Sequence, residues 1–165
     1  MINPANYSSH IPVLLYALGI TEGPVLEMGV GFFSTPLIHW LCVPHGRKVM
    51  SMDNNKQFCD SLKPFAGPLH EIELVRDWEG TKIKQPWGLA FVDHEPPKRR
   101  KIDVARLAEH ARLIVLHDTS PEQNRVFEYD EVWPLFKYVY HHYSIFPGTS
   151  MLSNFMELEN VNVAF

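Results

Sequence analysis

Short apolar runs alternate with amphipathic stretches through most of the 165 residues. The runs PVLEMG, KVMSMD, HEIELVRDW, WGLAFVDH and ARLIVLHDT have strand length, and WGLAFV and ARLIVL are apolar at successive positions, as a strand covered on both faces must be. Helical patterns separate them. Ser8 or Ser9 is placed to cap a first helix running through Leu18, with Pro12 tolerated in its first turn. A second helix opens at Ser34 and stops near Pro44 and Gly46; NKQFCDSLKPF and RRKIDVARLAEH supply two more. The last third differs. YVYHHYSIF and SMLSNFM are β-prone and separated only by PGT, too short for a parallel crossover, so they predict an antiparallel hairpin. A helix from about Pro121 to Lys137 leads into it, with Phe127, Trp133 and Phe136 as packing residues and Pro134 bending or ending it. The chain therefore predicts an α/β fold: a doubly wound, mainly parallel seven-stranded sheet with a C-terminal antiparallel hairpin. One domain is expected over residues 1–165, made of a helical segment (1–22), a core (23–119), and a helix with the hairpin (120–165).

Composition narrows the function. Fifteen basic against 19 acidic residues give a formal charge of -4, without the broad positive field that nucleic-acid backbones demand. Cys42 and Cys59 form neither a CxxC pair nor a metal-type spacing with histidine, which fits a reducing compartment. The amino-terminal stretch lacks a basic leader, and its apolar run is too short to span a membrane. A soluble, cytoplasmic protein without nucleic-acid or membrane partners is the expectation.

In an open α/β sheet the ligand crevice lies beyond the carboxyl ends of the strands, where strand order reverses. Those ends carry Glu27, Asp53, Asp77, Asp93 and the pair His117-Asp118. Five carboxylates on one rim call for a cation among them. A dinucleotide would bring a pyrophosphate and a G-x-G-x-x-G turn, but here Ser34 stands at the third glycine position, after Phe32 and Phe33. S-adenosylmethionine brings an ammonium, a sulfonium, a ribose diol suited to Asp53, and one carboxylate for helix-start donors such as Ser34. Gly29 and Gly31 allow close backbone approach, while Glu27 supports the turn or meets the positively charged methionine part.

On these residues the chain resembles the class I S-adenosylmethionine-dependent methyltransferases, with their Rossmann-like sheet. Glu27-x-Gly29-x-Gly31 is similar to their first motif and Asp53 to their ribose-binding acid. Asp77-Trp78 falls where adenine is met, and the hairpin matches their reversed last strand. MGVGFFS, SMDNN, FVDHEP and LHDT are similar in placement to motifs of catechol-type and of sugar and antibiotic O-methyltransferases. That resemblance implies a divalent metal held by Asp93, His117 and Asp118, although His117 and Thr119 around Asp118 depart from the family pattern.

Methyl transfer needs a nucleophile in line with the methyl group and a place for its proton. His117, His94 and Glu95 are the candidate bases, with Lys98 a weaker one. The run KRRK, Lys98 to Lys101, opposes the dipole at a helix start; it reads either as capture of an anionic group or restraint of the Glu95 loop, or as a solvated helix start. His141 and His142 face opposite sides of a strand and read as structural. Trp40, Trp87, Trp133, Phe32 and Phe33 read as packing residues, whereas Trp78 could flank adenine. Asp53 has the alternative of capping the helix that follows. The leading expectation is methyl transfer to a small-molecule hydroxyl, with a homodimer as a possible source of further cover for the cleft. The alternatives are a cofactor-binding module without turnover and a nicotinamide-dependent oxidoreductase.

Overall fold

The structure, a computed structural model, describes residues 7–163. Helix α1 (Ile11–Ile20) leads to β1 (Val25–Met28) and α2 (Ser34–Cys42). They are followed by β2 (Val49–Asp53), α3 (Lys56–Leu62), β3 (His70–Leu74), β4 (Trp87–Val92), α4 (Arg99–Leu107) and β5 (Ala111–His117). After the short helix α5 (Asn124–Phe127) come β6 (Tyr138–His142) and β7 (Thr149–Ser153). The seven strands make one sheet in the order β3-β2-β1-β4-β5-β7-β6. The first five are parallel, and β7 runs antiparallel between β5 and β6. The hairpin forms, but its connection is residues 143–148 rather than PGT alone, because the first strand ends at His142 and Thr149 already belongs to the second; the second strand is the one that enters the sheet beside β5.

Burial follows the pleat. Along β4, Leu89 and Phe91 pack with Val13, Leu14 and Ile38 on one face, while Ala90 and Val92 pack with Val104 and Leu107 on the other. Successive side chains point to opposite faces, so a strand covered twice has to be apolar throughout. No helix among the described residues is long and apolar enough to cross a membrane.

Two expected elements differ. The helix expected from Pro121 to Lys137 is broken into α5 and flanking single turns. Glu128 adopts a left-handed backbone, φ 58°, directly after α5, and the Asn124 side chain takes the Asp130 amide at 3.1 Å; such local side-chain bonding competes with helix continuation. Phe127 and Phe136 are nevertheless buried, and Trp133 packs against the same cluster beside Tyr129. At the first helix neither serine caps. His10 holds the N-cap position without a side-chain cap, and Ser9 turns its hydroxyl to His117 instead.

Candidate active site

The order of strands reverses between β1 and β4, and the cleft opens at their carboxyl ends, enclosing about 910 Å³. That volume suits a cofactor-sized ligand. Its floor is the turn after β1. Gly29 has φ +103°, and a Cβ there would meet the Asp93 carbonyl carbon and oxygen at 2.6 Å. Only glycine can lie so close to the neighbouring strand end.

Glu27 does not face the cleft. It is completely buried beneath the turn, where the Thr35 hydroxyl donates to its two oxygens at 2.9 and 3.0 Å and the Ser51 hydroxyl donates from β2. Thr35 in turn accepts the Gly31 amide at 3.0 Å. Of the two expected roles, the geometry fits support of the turn, since Glu27 is not among the residues lining the cleft. Burial pushes the Glu27 carboxyl up to about 7, despite these hydroxyl donors. The polar chain continues from Ser51 to His70 at 2.8 Å and on to His39 at 3.0 Å.

Asp53 lines the cleft at the end of β2. Its Oδ2 accepts the Val30 amide at 2.7 Å and its Oδ1 the Asn55 amide at 2.6 Å, so it ties the two loops together. The helix cap belongs to Asn55, whose side chain accepts from the Gln57 amide at 2.9 Å. Ser34 and Gly31 also line the cleft.

The expected adenine site is displaced. Strand β3 stops at Leu74, and the chain folds back so that Trp78 is buried in the core, its indole N–H donating to the Glu95 carbonyl at 2.7 Å. Asp77 is exposed away from the cleft and accepts the Glu79 amide. The aromatic groups at the cleft are instead Phe32 and Phe58, whose ring centroids lie 5.7 Å apart, together with Phe33, Tyr7 and Phe146. Phe32 and Phe33 are thus cleft residues rather than packing residues, and Trp40, 65% exposed on α2, packs edge-on against the rings of His39 and Phe65. Trp87 is buried as expected.

The ends of β4 and β5 make a corner of titratable groups. His117 Nδ1 shares a 3.1 Å hydrogen bond with Asp93 Oδ1, and Nε2 is 2.8 Å from Ser9 Oγ. Burial alone would raise Asp93, but His117 and Arg100 outweigh it and hold the carboxyl well below the usual range. For His117, burial lowers the imidazole pKa, and Asp93 more than offsets it, so it ends above its ordinary value. His10 enters from the start of α1, its ring 5.0 Å from that of His117. Both of its buried ring nitrogens lack a hydrogen-bond partner among the described residues, and burial next to His117 pushes it down to about 4.

His94 is turned away from this corner. It is 1% exposed, its Nε2 lies 3.1 Å from Asp103 Oδ2, and its ring packs 4.2 Å from that of Trp78. Held by a helix carboxylate, His94 does not line the cleft. Glu95 does stand at the cleft, its carboxyl raised chiefly by burial.

Arg100 is the cation that the acidic rim demands, and it was hidden in the KRRK run. Its Nη1 lies 2.7 Å from Asp118 Oδ2 and its Nη2 3.0 Å from Asp93 Oδ1. The other three cations of the run pair internally: Lys98 and Lys101 with Glu128, and Arg99 with Glu79 and Asp103. None remains as a free anion-capturing patch. Asp118 itself sits in the left-handed region, φ 58°, a strained backbone of the kind that marks functional corners. The ligand set expected for a metal is therefore altered: Asp118 belongs to Arg100, and His10 is what joins Asp93 and His117, with ligand atoms all within 4.8 Å of one another.

No protein-family model and no curated protein sequence matches the chain. Solved structures match in fold. A Corynebacterium glutamicum protein shares 13% identity at TM-score 0.66, covering 90% of this chain and 82% of its own. The human methyltransferase 10 domain containing protein shares 10% at TM-score 0.63, covering 90% and 83%. The O-methyltransferase TomG from Streptomyces achromogenes, involved in tomaymycin synthesis and solved with S-adenosylmethionine, shares 15% at TM-score 0.60, covering 93% and 81%. The fold is thus the seven-stranded methyltransferase fold, Rossmann-like with a reversed last strand.

Proposed function

We propose that the protein is an S-adenosylmethionine-dependent methyltransferase acting on a hydroxyl of a small molecule. The observation that carries this reading is the Asp93–His117 pair opening on the same cleft as the Gly29–Gly31 turn and Asp53. The donor set fits the cofactor. Asp53 retains lone pairs for a ribose diol beside its two amide bonds, the helix start at Ser34 presents donors to a carboxylate, and Phe32 and Phe58 offer apolar faces to a base. Glu27, Asp77, Trp78 and His94 are left out of this assignment by their positions.

When bound, the cofactor supplies an electrophilic methyl group on a sulfonium. The protein's part is to position the acceptor and take its proton. Asp93 occupies Nδ1 of His117 and leaves Nε2 as the basic nitrogen. On transfer of the methyl group to the acceptor oxygen, Nε2 of His117 would take the hydroxyl proton, directly or through the Ser9 hydroxyl. His10, whose two ring nitrogens have no partner among the described residues, offers the acceptor both a donor and an acceptor of hydrogen bonds. Asp53 and Glu95, which have no side-chain cation at hydrogen-bond distance among the described residues, favour a positively charged ligand.

Calorimetric titration with S-adenosylmethionine, S-adenosylhomocysteine and NAD tests the cofactor. A transfer assay with labelled donor over phenols, sugars, amines, carboxylates and RNA then tests the acceptor. Binding of both adenosyl ligands with transfer to a hydroxyl compound is the expected result. Binding without transfer would favour the cofactor module, transfer to RNA would overturn the small-molecule assignment, and binding of NAD alone would end the proposal.

A further inference from the structure

Both carboxylates that the family resemblance assigns to a divalent ion are engaged by a cation of the protein. Arg100 leaves the first turn of α4 and points into the cleft, where it is 3% exposed. Beyond its pairs with Asp93 and Asp118, its Nε donates to the His94 carbonyl at 2.7 Å and its Nη2 to the Asp93 carbonyl at 3.0 Å. The guanidinium carbon lies 4.7 Å from the centroid of the Phe127 ring. Those backbone acceptors and the ring fix the group in place, and displacing it would leave buried carbonyls and a buried charge unpaired.

Neither ligand set suits an ion while Arg100 is there. An ion on Asp93 and Asp118 would share both carboxylates with a fixed like charge. The alternative trio of His10, Asp93 and His117 has ligand atoms within 4.8 Å of one another, but an ion there would have to take Asp93 from its present partners. Asp93 Oδ1 is also already shared between His117 at 3.1 Å and Arg100 at 3.0 Å.

We infer that Arg100 is the resident cation of this cleft, standing in the place of a divalent ion, and that acceptor activation proceeds without metal. It is a positioning residue. It keeps Asp93 ionised and aimed at His117, and it holds Asp118 in its left-handed turn, without touching the reacting atoms. Its catalytic meaning rests on the methyltransferase reading; its place as the cation does not.

The test is uptake of Mn2+, followed by the loss of its free-ion electron paramagnetic signal, in the wild type, in Arg100→Met and in Asp93→Asn. Thermal unfolding and S-adenosylhomocysteine affinity report on folding and on the cofactor site. The wild type is expected to leave the Mn2+ signal undiminished and to transfer methyl groups equally with and without a chelator. Folded Arg100→Met, with Asp93 and Asp118 released, is expected to take up Mn2+ at least about tenfold more tightly than the wild type. Uptake by the wild type that disappears in Asp93→Asn, chelator-sensitive transfer, or a folded Arg100→Met that ignores Mn2+ would each overturn the inference. Should Arg100→Met fail to fold, the wild-type and Asp93→Asn titrations still decide. Since Mn2+ uptake needs neither methyl donor nor acceptor, failure to bind S-adenosylhomocysteine would sink the functional reading separately.

Discussion

The peptide of Asp93 lies so close to Gly29 that a single added carbon would come within 2.6 Å of the Asp93 carbonyl. The turn that shapes the cleft floor and the strand end that carries the acid are thereby one packed unit. Gly29→Ala combines this overlap with a φ of +103°, and it is expected to cost about 3 kcal/mol of stability. Urea unfolding measures it; an unchanged midpoint would mean that the close approach is not real.

His117 is expected to matter for turnover and little for the cofactor. Replacing it by asparagine should lower kcat by about 10²- to 10⁴-fold on the acceptor found by the transfer assay. Affinity for S-adenosylhomocysteine should stay within about threefold of wild type, because no cofactor contact is assigned to the imidazole. A variant that keeps full kcat would remove His117 as the base.

Asp53 is expected to behave in the opposite way. Asp53→Ala should weaken S-adenosylhomocysteine binding by about ten- to a hundredfold, the range of one or two lost hydrogen bonds to a charged group. The same change strips the Val30 and Asn55 amides of their acceptor, so a stability loss of about 1–3 kcal/mol should accompany it. Calorimetry and unfolding together separate the two effects, and an unaltered affinity would assign Asp53 to the loops alone.

Glu27 gives a pH-dependent signature. Its carboxyl rises from 4.5 to about 7 in the fold, chiefly through burial. The folded protein therefore holds this proton where the unfolded chain has released it, and the contribution to stability falls as pH rises from 4.5 to about 7. Neutral Glu27→Gln should run parallel to the wild type below that window and gain on it above, by up to about 3 kcal/mol. His10 and His70, both lowered to about 4 mainly by burial, slope the other way between about 4 and 6.5. They are common to both proteins and cancel in the difference. Equal stability of the two proteins at pH 5 and pH 8 would contradict the buried carboxyl.

The sheet was legible because its signals are local. WGLAFV is apolar at every position, which only a strand covered on both faces tolerates, and the short connection around PGT leaves no room for a parallel crossover. The glycine turn and the cleft acids Asp53, Asp93 and Asp118 were placed by the same logic, whereas Glu27 lies beneath the turn. The third strand misled: HEIELVRDW continues to alternate past Leu74, but the chain turns there and buries Trp78 in the core, so Asp77 and Trp78 leave the cleft. Arg100 escaped for a related reason. A cation at a helix start opposes the local dipole, and only the long-range proximity of Asp93 and Asp118 explains why it sits there. His10 and Ser9 gave no local sign of function, since it is the packing of α1 against β4 and β5 that brings them to the corner. Helix continuation past Phe127 failed on one residue, Glu128, whose left-handed backbone no periodicity reveals.

A counter-charge built into the chain has a bearing on how the protein matures. Arg100 arrives with the polypeptide and meets Asp93 and Asp118 in the act of folding, so the balance of this pocket is complete once α4 has docked. It draws on no supply of ions from the surroundings, and shortage or competition among those ions leaves the three-residue arrangement as it was made.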